Sequence, residues 1–312
     1  MRTAIIVNLI GKSTVRRLVL KIFILITLLL ISTQAALAKD KVTVFVSIVP
    51  QIYFVQQIGQ ELVDVQVMVQ PGASPATYEP KPKQLAAISK TKIYFSIGVP
   101  FEKAWLNKIA SANPDMKIVP TDHGIQKIPM VSHYHLNKEE HGHNVDQHHD
   151  GIFDPHIWLS PPLVMMQART IVTALQENDP AQRSVYEANY KAFILQIVDL
   201  DAEIRNTFDD KHRRRFMVFH PAWGYFAQAY GLRQVPIELE GKDPKPSQLK
   251  AVIERAKEQN INVVFVQPQF SSKSAKQVAK EIGGQVAFVD PLAQNWFENL
   301  REVADKFKAA LR

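Results

Sequence analysis

Cysteine is absent from all 312 residues of this chain, and so are several sequence signatures of catalytic sites. Without cysteine, an exported protein depends on packing rather than on disulfides, and no thiol is available for a lipid anchor. The chain also lacks a phosphate-binding loop, a nucleophile elbow and an HExxH pair. These absences argue against the enzyme classes that those motifs define.

The sequence also lacks an apolar run long enough to cross a membrane. Arg16, Arg17 and Lys21 precede the apolar residues 22–31, and residues 36–38 are small enough for signal cleavage. A spanning helix needs about 20 apolar residues, and polar residues end this run sooner. We therefore predict a signal peptide over residues 1–38 rather than a membrane anchor, and a periplasmic mature protein.

The predicted mature chain carries little net charge. The whole sequence has a formal charge of +7, and the predicted signal peptide removes five basic residues and no acid, which leaves +2. The short basic cluster at 211–215 contains no aromatic residue that could stack on a base. No nucleic-acid partner is predicted.

Short β-branched runs alternate with helical patterns on both sides of a long central segment. The runs lie at 42–50, 63–71, 93–98, 216–220, 234–239, 262–267 and 285–290. Residues 181–208 contain no Gly or Pro and repeat apolar residues at helical intervals, which predicts a helix of roughly 40 Å. We predict an α/β protein in which two (βα) lobes with parallel sheets are joined by one long rigid helix.

The predicted domain boundaries follow from this pattern. An N-terminal α/β lobe covers 39–178, the linking helix covers 179–208, and a C-terminal α/β lobe covers 209–312. A histidine-rich stretch at 132–151 lies within the first lobe and holds six of the ten histidines of the chain.

Three loops carry side chains that bind metals, and parallel α/β sheets bind ligands where loops leave the carboxyl ends of their strands. His220 and Asp290 each end a predicted strand, and His156 lies in DPHIWLSP, between a proline and an isoleucine. Taken alone, each has an ordinary alternative: a structural histidine, or an aspartate that caps a turn. Together, two imidazoles and a carboxylate would suit zinc, with manganese possible.

Five motifs in order give the mature chain a specific family resemblance. They are PGASPATYEP at 71–80, DPHIWLSP at 154–161, HPAWGYFAQAYGL at 220–232, QPQFSSKSA at 267–275 and VDPLA at 289–293. The chain resembles the ZnuA/TroA-type solute-binding proteins of zinc and manganese ABC transporters over nearly its whole length. The resemblance implies two lobes joined by one long helix, the same architecture that the pattern of runs predicts.

The resemblance also implies a set of metal ligands. His156 and His220 would be ligands from opposite lobes, and Asp290 would be the carboxylate ligand. The first motif departs from the family, because Ala76 stands where the family has histidine. Gln267 is a smaller departure, since many relatives have glutamate there.

The loss of this imidazole leaves three explanations open. The three remaining ligands could bind the ion with water or Glu79 completing the coordination. A small chelator could fill the open position, so that the cargo is a metal complex. Metal binding could also have been lost.

The histidine-rich stretch occupies the place of a similar loop in zinc-type relatives. Its composition is too polar to bury a core, so we predict a disordered loop that captures zinc weakly near the cleft. A solvated linker with incidental histidines is the alternative.

Two other groups of residues have plainer interpretations. Trp158, Trp223, Phe226 and Tyr230 are predicted to pack inside the lobes. Glu238 and Glu240 are interpreted as a permease contact or as solvated loop residues, and the sequence does not decide between these.

We predict a non-enzymatic, monomeric periplasmic protein that captures Zn²⁺, or Mn²⁺, in the interlobe cleft and delivers it to an inner-membrane ABC permease. A zinc hydrolase is one rival, because three protein ligands and an open position also describe catalytic sites. A surface adhesin is another, although a lipid-anchoring cysteine is missing.

Overall fold

The computed structural model describes residues 40–130, 153–210, 214–238 and 242–311, together with Lys21. The described residues from Val42 onward form one compact unit. Most of the predicted signal peptide and all of the histidine-rich stretch lie outside the described residues. Within the described part of the chain, no helix is long and apolar enough to span a membrane.

The N-terminal lobe is built on a four-stranded parallel sheet with the order β2-β1-β3-β4. Its strands are β1 (Val42–Val46), β2 (Val63–Val67), β3 (Ile93–Ser96) and β4 (Lys117–Pro120). Its helices are α1 (Val49–Gly59), α2 (Pro82–Ile88), α3 (Pro100–Ala112) and α4 (Pro161–Asn178). All four residues of β3 are buried, as expected for a central strand covered on both faces.

The C-terminal lobe repeats this arrangement with the strand order β6-β5-β7-β8. Its strands are β5 (Arg215–Val218), β6 (Arg233–Pro236), β7 (Val263–Val266) and β8 (Gln285–Phe288). Its helices are α6 (Gly224–Ala229), α7 (Pro246–Glu258), α8 (Lys273–Glu281) and α9 (Trp296–Ala310). In each sheet the next strand lies on one side of the first strand and the later strands lie on the other side. Parallel sheets form ligand crevices at the point where the strand order reverses in this way.

A single long helix, α5 (Arg183–Thr207), joins the lobes. Its 25 residues span about 38 Å at 1.5 Å per residue. The Asn189 side chain donates to Ile58 O at the end of α1, and Asp201 accepts from Tyr230 Oη in the C-terminal lobe. The predicted long helix between two parallel-sheet lobes is confirmed.

One continuous cluster of buried apolar side chains runs from the N-terminal sheet through α5 into the C-terminal lobe. At its centre, Phe54 of α1 packs edge-on against Trp296 of α9 and also contacts Phe193 of α5. A second cluster covers the other face of the C-terminal sheet. The shared core couples the two lobes, so each lobe offers a fixed frame for the loops at its strand ends.

The sequence pattern and the structure differ at several element boundaries. The predicted strand at 42–50 ends at Val46, because Ser47 and Ile48 turn the chain into α1, which has a proline in its first turn. β4 was not predicted, since an edge strand of four residues leaves little periodic signal. The predicted linking helix at 179–208 corresponds to a 3₁₀ turn at Pro180–Gln182 followed by α5.

Candidate metal-binding site

A cavity of about 160 Å³ lies between the lobes at the carboxyl ends of their strands. The N-terminal lobe contributes loops after β2, β3 and β4 and the segment before α4, and the C-terminal lobe contributes the loops after all four of its strands. Its lining includes Ser74, Pro75, Ala76, Val99, Pro100, Met130, His156, His220, Glu238, Gln269, Phe270 and Leu292. Two of the three predicted ligands, His156 and His220, therefore share one cavity.

His156 is fixed by Asp154, two residues earlier in the chain. One carboxylate oxygen, Asp154 Oδ1, accepts both from the backbone N of His156 at 2.9 Å and from its ring Nδ1 at 2.7 Å. The 3₁₀ turn Ile157–Leu159 follows at once, and Trp158 is buried beneath it. This turn holds the ring with Nε2 directed toward the opposite lobe.

His220 follows β5 and is held in the same way by Glu238, which follows β6. Glu238 Oε1 lies 2.7 Å from His220 Nδ1, and the Phe270 ring stacks on the imidazole with its centroid 4.6 Å away. The side chain of Gln267 accepts from His220 N at 3.2 Å and donates to His220 O at 2.7 Å. An amide can make both of these bonds, whereas a carboxylate can only accept.

The two imidazoles meet at their Nε2 atoms, which lie 3.3 Å apart. Each Nδ1 donates its proton to a carboxylate, so in the neutral rings each Nε2 carries a lone pair. Two lone pairs facing each other repel unless a cation or a proton lies between them. Two nitrogens bound to one tetrahedral zinc at about 2.0–2.1 Å would be roughly 3.3–3.4 Å apart. The observed separation therefore matches a shared zinc ion.

Burial lowers the pKa of His156 below its ordinary value, because desolvation disfavours the imidazolium form. The neighbouring Asp154 carboxylate acts in the opposite direction, and His220 lowers the pKa further. The net effect favours the neutral ring, whose lone pair can bind a metal ion.

Asp290, the third predicted ligand, is engaged elsewhere in this conformation. Its Oδ1 accepts from the backbone N of Leu292 at 2.9 Å and from Gln269 Nε2 at 2.8 Å. The bond to Leu292 closes a turn, and a turn-capping aspartate is the alternative that the sequence left open for Asp290. In the part of the chain that the structure describes, no group of three His, Cys, Asp or Glu side chains is placed to hold one metal ion.

Ala76, which stands in the place of the family histidine, lines the cavity together with Ser74 and Pro75. Its position agrees with the resemblance, because a histidine there would reach into the same cavity. Glu79, a possible replacement ligand, is exposed and is not among the lining residues. Beside Ala76, the Ser74 hydroxyl accepts from the backbone N of Ala76 at 3.3 Å, and Pro75 is apolar.

A buried carboxyl supports the neighbouring wall at Val99–Pro100. Glu102 accepts from the backbone N of Ile97 at 2.9 Å and of Gly98 at 2.8 Å, and it also accepts from the Ser47 hydroxyl. Gly98 has a φ of +82°, which disfavours any side chain there. Burial raises the pKa of Glu102 above its ordinary value.

Tyrosine and tryptophan side chains connect the lobes around the cavity. Tyr225 of α6 donates to Asp154 O at 2.8 Å and accepts from Ile128 N at 3.1 Å, and burial raises its pKa to about 12. Trp158 donates through its indole to Pro291 O at 2.7 Å, while its own carbonyl accepts from Trp296 at 2.6 Å. These bonds tie the segment that carries His156 to the C-terminal lobe.

Sequence reasoning missed the carboxylates behind both histidines. The interpretation of Glu238 as a permease contact or a solvated loop residue is wrong, since Glu238 is buried against His220, and Glu240 lies outside the described residues. Asp154 stands in the DPH motif and could have been found as a carboxylate two residues before a candidate ligand. The prediction that Trp158, Trp223, Phe226 and Tyr230 pack inside the protein is confirmed.

The model of the family "Zinc-uptake complex component A periplasmic" (ZnuA) matches residues 44–310. Among curated proteins, the chain is 32% identical over 260 residues to the high-affinity zinc uptake system protein ZnuA of Bacillus subtilis strain 168. That match covers 81% of this chain and 79% of the relative. The zinc-binding protein AdcA of Streptococcus pyogenes serotype M3 is 27% identical over 271 residues, which cover 83% of this chain and only 52% of AdcA.

The fold also matches solved structures. A crystal structure of ZnuA superposes with a TM-score of 0.80 and 44% sequence identity, covering 88% of this chain and 100% of the other. The laminin-binding protein Lmb of Streptococcus agalactiae superposes with a TM-score of 0.74 at 23% identity, which is evidence for the shared fold alone.

Proposed function

We propose that this chain, which belongs to the ZnuA family of periplasmic zinc-uptake components, is the solute-binding protein of a zinc ABC transporter. It captures Zn²⁺ between its two lobes and delivers the ion to an inner-membrane permease. The zinc is cargo rather than a resident cofactor.

The separation of the two Nε2 atoms carries this proposal. His156 and His220 come from different lobes, yet their Nε2 atoms lie 3.3 Å apart, the spacing of two nitrogens on one tetrahedral zinc. Each ring is oriented by a carboxylate on its other nitrogen, an arrangement typical of zinc-binding histidines. The same carboxylates strengthen the bond that each ring makes to a cation.

In the neutral rings both Nε2 atoms carry lone pairs, so a cation can bind them while each Nδ1 keeps its carboxylate partner. Zinc replaces the unfavourable contact between these lone pairs with two metal–nitrogen bonds. Since one ligand comes from each lobe, the bound ion connects the lobes, and release requires the two rings to separate. Imidazole nitrogens suit zinc, and they also accept manganese with lower affinity.

Ala76 lines the same cavity as the two histidines and offers no ligand for the remaining coordination positions. Water fills them in this proposal. Asp290 stays a predicted third protein ligand, although its Oδ1 accepts from Leu292 N and Gln269 Nε2 in this conformation. A two-histidine site with water binds zinc more weakly than a site with a third imidazole. The proposed cargo is therefore a free ion held with reduced affinity.

No catalytic activity is proposed, and the family is one of solute-binding proteins. A zinc hydrolase would need a general base within reach of the metal-bound water. The buried carboxylates of Asp154 and Glu238 are already paired with the histidines. The metal in this cleft would be held and released without activating water for attack.

The proposal includes a periplasmic location, a monomeric mature protein and a signal peptide over residues 1–38. Its domain boundaries are those predicted from the sequence, with lobes at 39–178 and 209–312 and a linking helix between them. The histidine-rich stretch at 132–151 would raise the local zinc concentration.

Zinc affinity of the metal-free mature protein, measured by competition with a chelator of known affinity, tests the function. We expect one tight site in the wild-type protein and a loss of more than about 100-fold in His156→Ala and in His220→Ala. His123→Ala is the matched control, because His123 is exposed and lies outside the cavity. Unchanged affinity in both cavity variants would refute the proposed site.

A further inference from the structure

Gly224, the first residue of α6, lies where the backbone itself does not require a glycine. Gly98 and Gly231 have positive φ values, which favour glycine, whereas the φ of Gly224 lies outside that range. Gly224 is helical, and alanine fits a helical backbone at least as well as glycine does. The reason for a glycine at this position must therefore lie in the groups that surround it.

Three side chains close the space beside the α-carbon of Gly224. A Cβ atom at this position would lie 2.5 Å from Asp154 Oδ2, 3.1 Å from Gln234 Nε2 and 3.5 Å from Ile128 Cδ1. The contact with Ile128 would be an ordinary one, and the contact with Gln234 would be tight. The distance to Asp154 is too short for any real Cβ. The Asp154 carboxylate thus occupies the space that a side chain at position 224 would need.

The Asp154 carboxylate cannot move aside without disturbing His156. Its side chain is only 1% exposed, and its Oδ1 accepts from both the backbone N and the ring Nδ1 of His156. The backbone of Asp154 is held as well, because its carbonyl accepts from Tyr225 Oη and its N–H donates to Ile128 O. Since the two carboxylate oxygens belong to one planar group, a methyl group that displaces Oδ2 also displaces Oδ1.

The Gln234 amide is fixed too. Its Oε1 accepts from Trp223 N at 3.0 Å, and its Nε2 donates to Pro221 O at 3.2 Å. Gln234 could move away from an added methyl group only by straining these bonds to the segment between His220 and α6. The closest clash is with Asp154, so the main displacement would fall on its carboxylate.

The contact between Gly224 and Asp154 links the segments that carry the two histidines. Gly224 follows His220 by four residues in HPAWG, and Asp154 precedes His156 by two residues in DPH. The two segments belong to different lobes, and their histidines meet with the Nε2 atoms 3.3 Å apart. A change in this contact would therefore alter how the two rings meet.

We propose that Gly224 is a positioning residue of the zinc site, because the absence of a side chain there leaves room for the carboxylate that directs His156 Nε2 toward His220. A side chain at this position displaces Asp154 and turns the His156 ring away from the geometry that one shared zinc ion needs. This inference rests on the proposed zinc-binding function. Gly224 acts on the metal through Asp154 and His156, and it does not bind the metal itself.

The first test adds a single methyl group, in Gly224→Ala. Zinc dissociation constants of the metal-free protein are measured by chelator competition. We expect binding about 10- to 100-fold weaker than in the wild-type protein, the range for groups that orient metal ligands. Gln228→Ala, at an exposed position of the same helix, is the matched control and should leave the affinity unchanged. Wild-type affinity in Gly224→Ala would overturn the inference.

Proton NMR edited through ¹⁵N, recorded on the metal-free protein, distinguishes this role from a general loss of stability. An imidazole Nδ1–H that donates to a carboxylate gives a downfield proton signal, and His156→Ala and His220→Ala assign the two signals. We expect Gly224→Ala to shift or remove the His156 signal. The His220 signal should remain, because its partner Glu238 is not one of the three side chains nearest to the added methyl group. An unchanged His156 signal would contradict the proposed role.

A double-mutant cycle keeps the inference testable even if Gly224→Ala folds poorly. Asp154→Ala removes the carboxylate that the methyl group would meet, and we expect it to weaken zinc binding about 10- to 100-fold. Adding Gly224→Ala to this variant should then cost no further affinity, because both changes act on the same group. A further loss above about threefold would mean that the methyl group acts elsewhere. The same conclusion follows if Asp154→Ala folds and the double variant does not.

These measurements also separate the inference from the proposed function. Wild-type affinity in Gly224→Ala overturns the inference alone, provided that His156→Ala and His220→Ala still lose zinc. Absence of zinc binding by the wild-type protein would overturn the proposed function, and with it the role of Gly224 at a zinc site. The NMR signals of the metal-free protein would still show whether Gly224 holds the Asp154 carboxylate in place.

Discussion

Gln267 forms hydrogen bonds with both backbone polar groups of His220, accepting from the N–H and donating to the carbonyl. This pairing joins the end of β7 to the end of β5 and sets the position from which the His220 side chain enters the cavity. The glutamate that the family resemblance implies at this position could accept from the N–H, but it could not donate to the carbonyl unless it were protonated.

Replacing this amide by a carboxylate is the first prediction. In Gln267→Glu the carbonyl of His220 loses its donor and faces a buried negative charge, so we expect the free energy of unfolding to fall by about 1–3 kcal/mol. Zinc affinity should fall as well, because His220 is less firmly placed. Urea denaturation and chelator competition measure the two effects, with Gln277→Glu on the surface of α8 as the control. Equal stability of the two variants would contradict this account of the pair.

Restoring the family histidine is the second prediction. In Ala76→His a third imidazole enters the cavity that His156 and His220 share, and we expect zinc to bind at least about tenfold more tightly, since a protein ligand replaces water. Thr77→His is the control, because Thr77 is exposed and lies outside the cavity. Similar affinities for the two variants would mean that the two remaining histidines do not share a metal ion.

The bond between Tyr225 and the segment before His156 gives the third prediction. Tyr225→Phe removes the donor to Asp154 O and the acceptor for Ile128 N, so Asp154 is held less firmly and His156 with it. We expect zinc affinity to fall about 10- to 100-fold, the range for residues that orient metal ligands. Tyr190→Phe, on α5, should leave affinity unchanged. A normal affinity in Tyr225→Phe would show that the turn positions His156 without this support.

The buried carboxyl of Glu102 makes stability depend on pH. Its folded pKa is raised above 4.5, so the folded state favours the protonated acid. The stabilising contribution is therefore fully present below about pH 4.5 and is lost as the pH rises through the raised folded pKa. Burial outweighs the hydrogen bonds from Ser47, Ile97 N and Gly98 N, which lower this pKa, and the nearby charge of Asp122 raises it further.

The fourth prediction compares melting temperatures of the wild-type protein and Glu102→Gln across this pH range. Because the amide introduced by this substitution does not titrate, we expect the advantage of the wild-type protein to be largest at acidic pH and to shrink as the pH increases. Glu258→Gln, at the exposed end of α7, controls for the loss of a charge. An advantage that grows with pH would mean that the carboxylate, rather than the acid, is the favoured form.

The fifth prediction concerns the histidine-rich stretch. Deletion of residues 132–150 removes six histidines but neither His156 nor His220. We expect zinc titration to retain one tight equivalent and to lose the weaker ones. The removed imidazoles bind zinc only loosely, because zinc must compete with protons for them. Loss of the tight equivalent would place the metal in the deleted stretch.

Local patterns in the sequence were sufficient to predict the architecture. The β-branched runs indicate buried strands, and the segment without Gly or Pro indicates the helix α5. Both signals depend on residues only a few positions apart in the chain. His156 and His220 could be singled out because each stands at a strand end or in an ordered turn. Through its place in a recognisable motif, the sequence alone also led to the prediction that Ala76 replaces a ligand histidine.

The pairing of side chains that are distant in the chain was decided by the tertiary structure. Glu238 and Gln267 contact His220 because β6 and β7 lie on either side of β5, and strand order leaves no local signal in the sequence. The same holds for Gln269 and Asp290, whose bond directs an amide that composition cannot distinguish from a surface glutamine. Residue types determine which chemistry is available, whereas the packing of strand ends decides which groups meet.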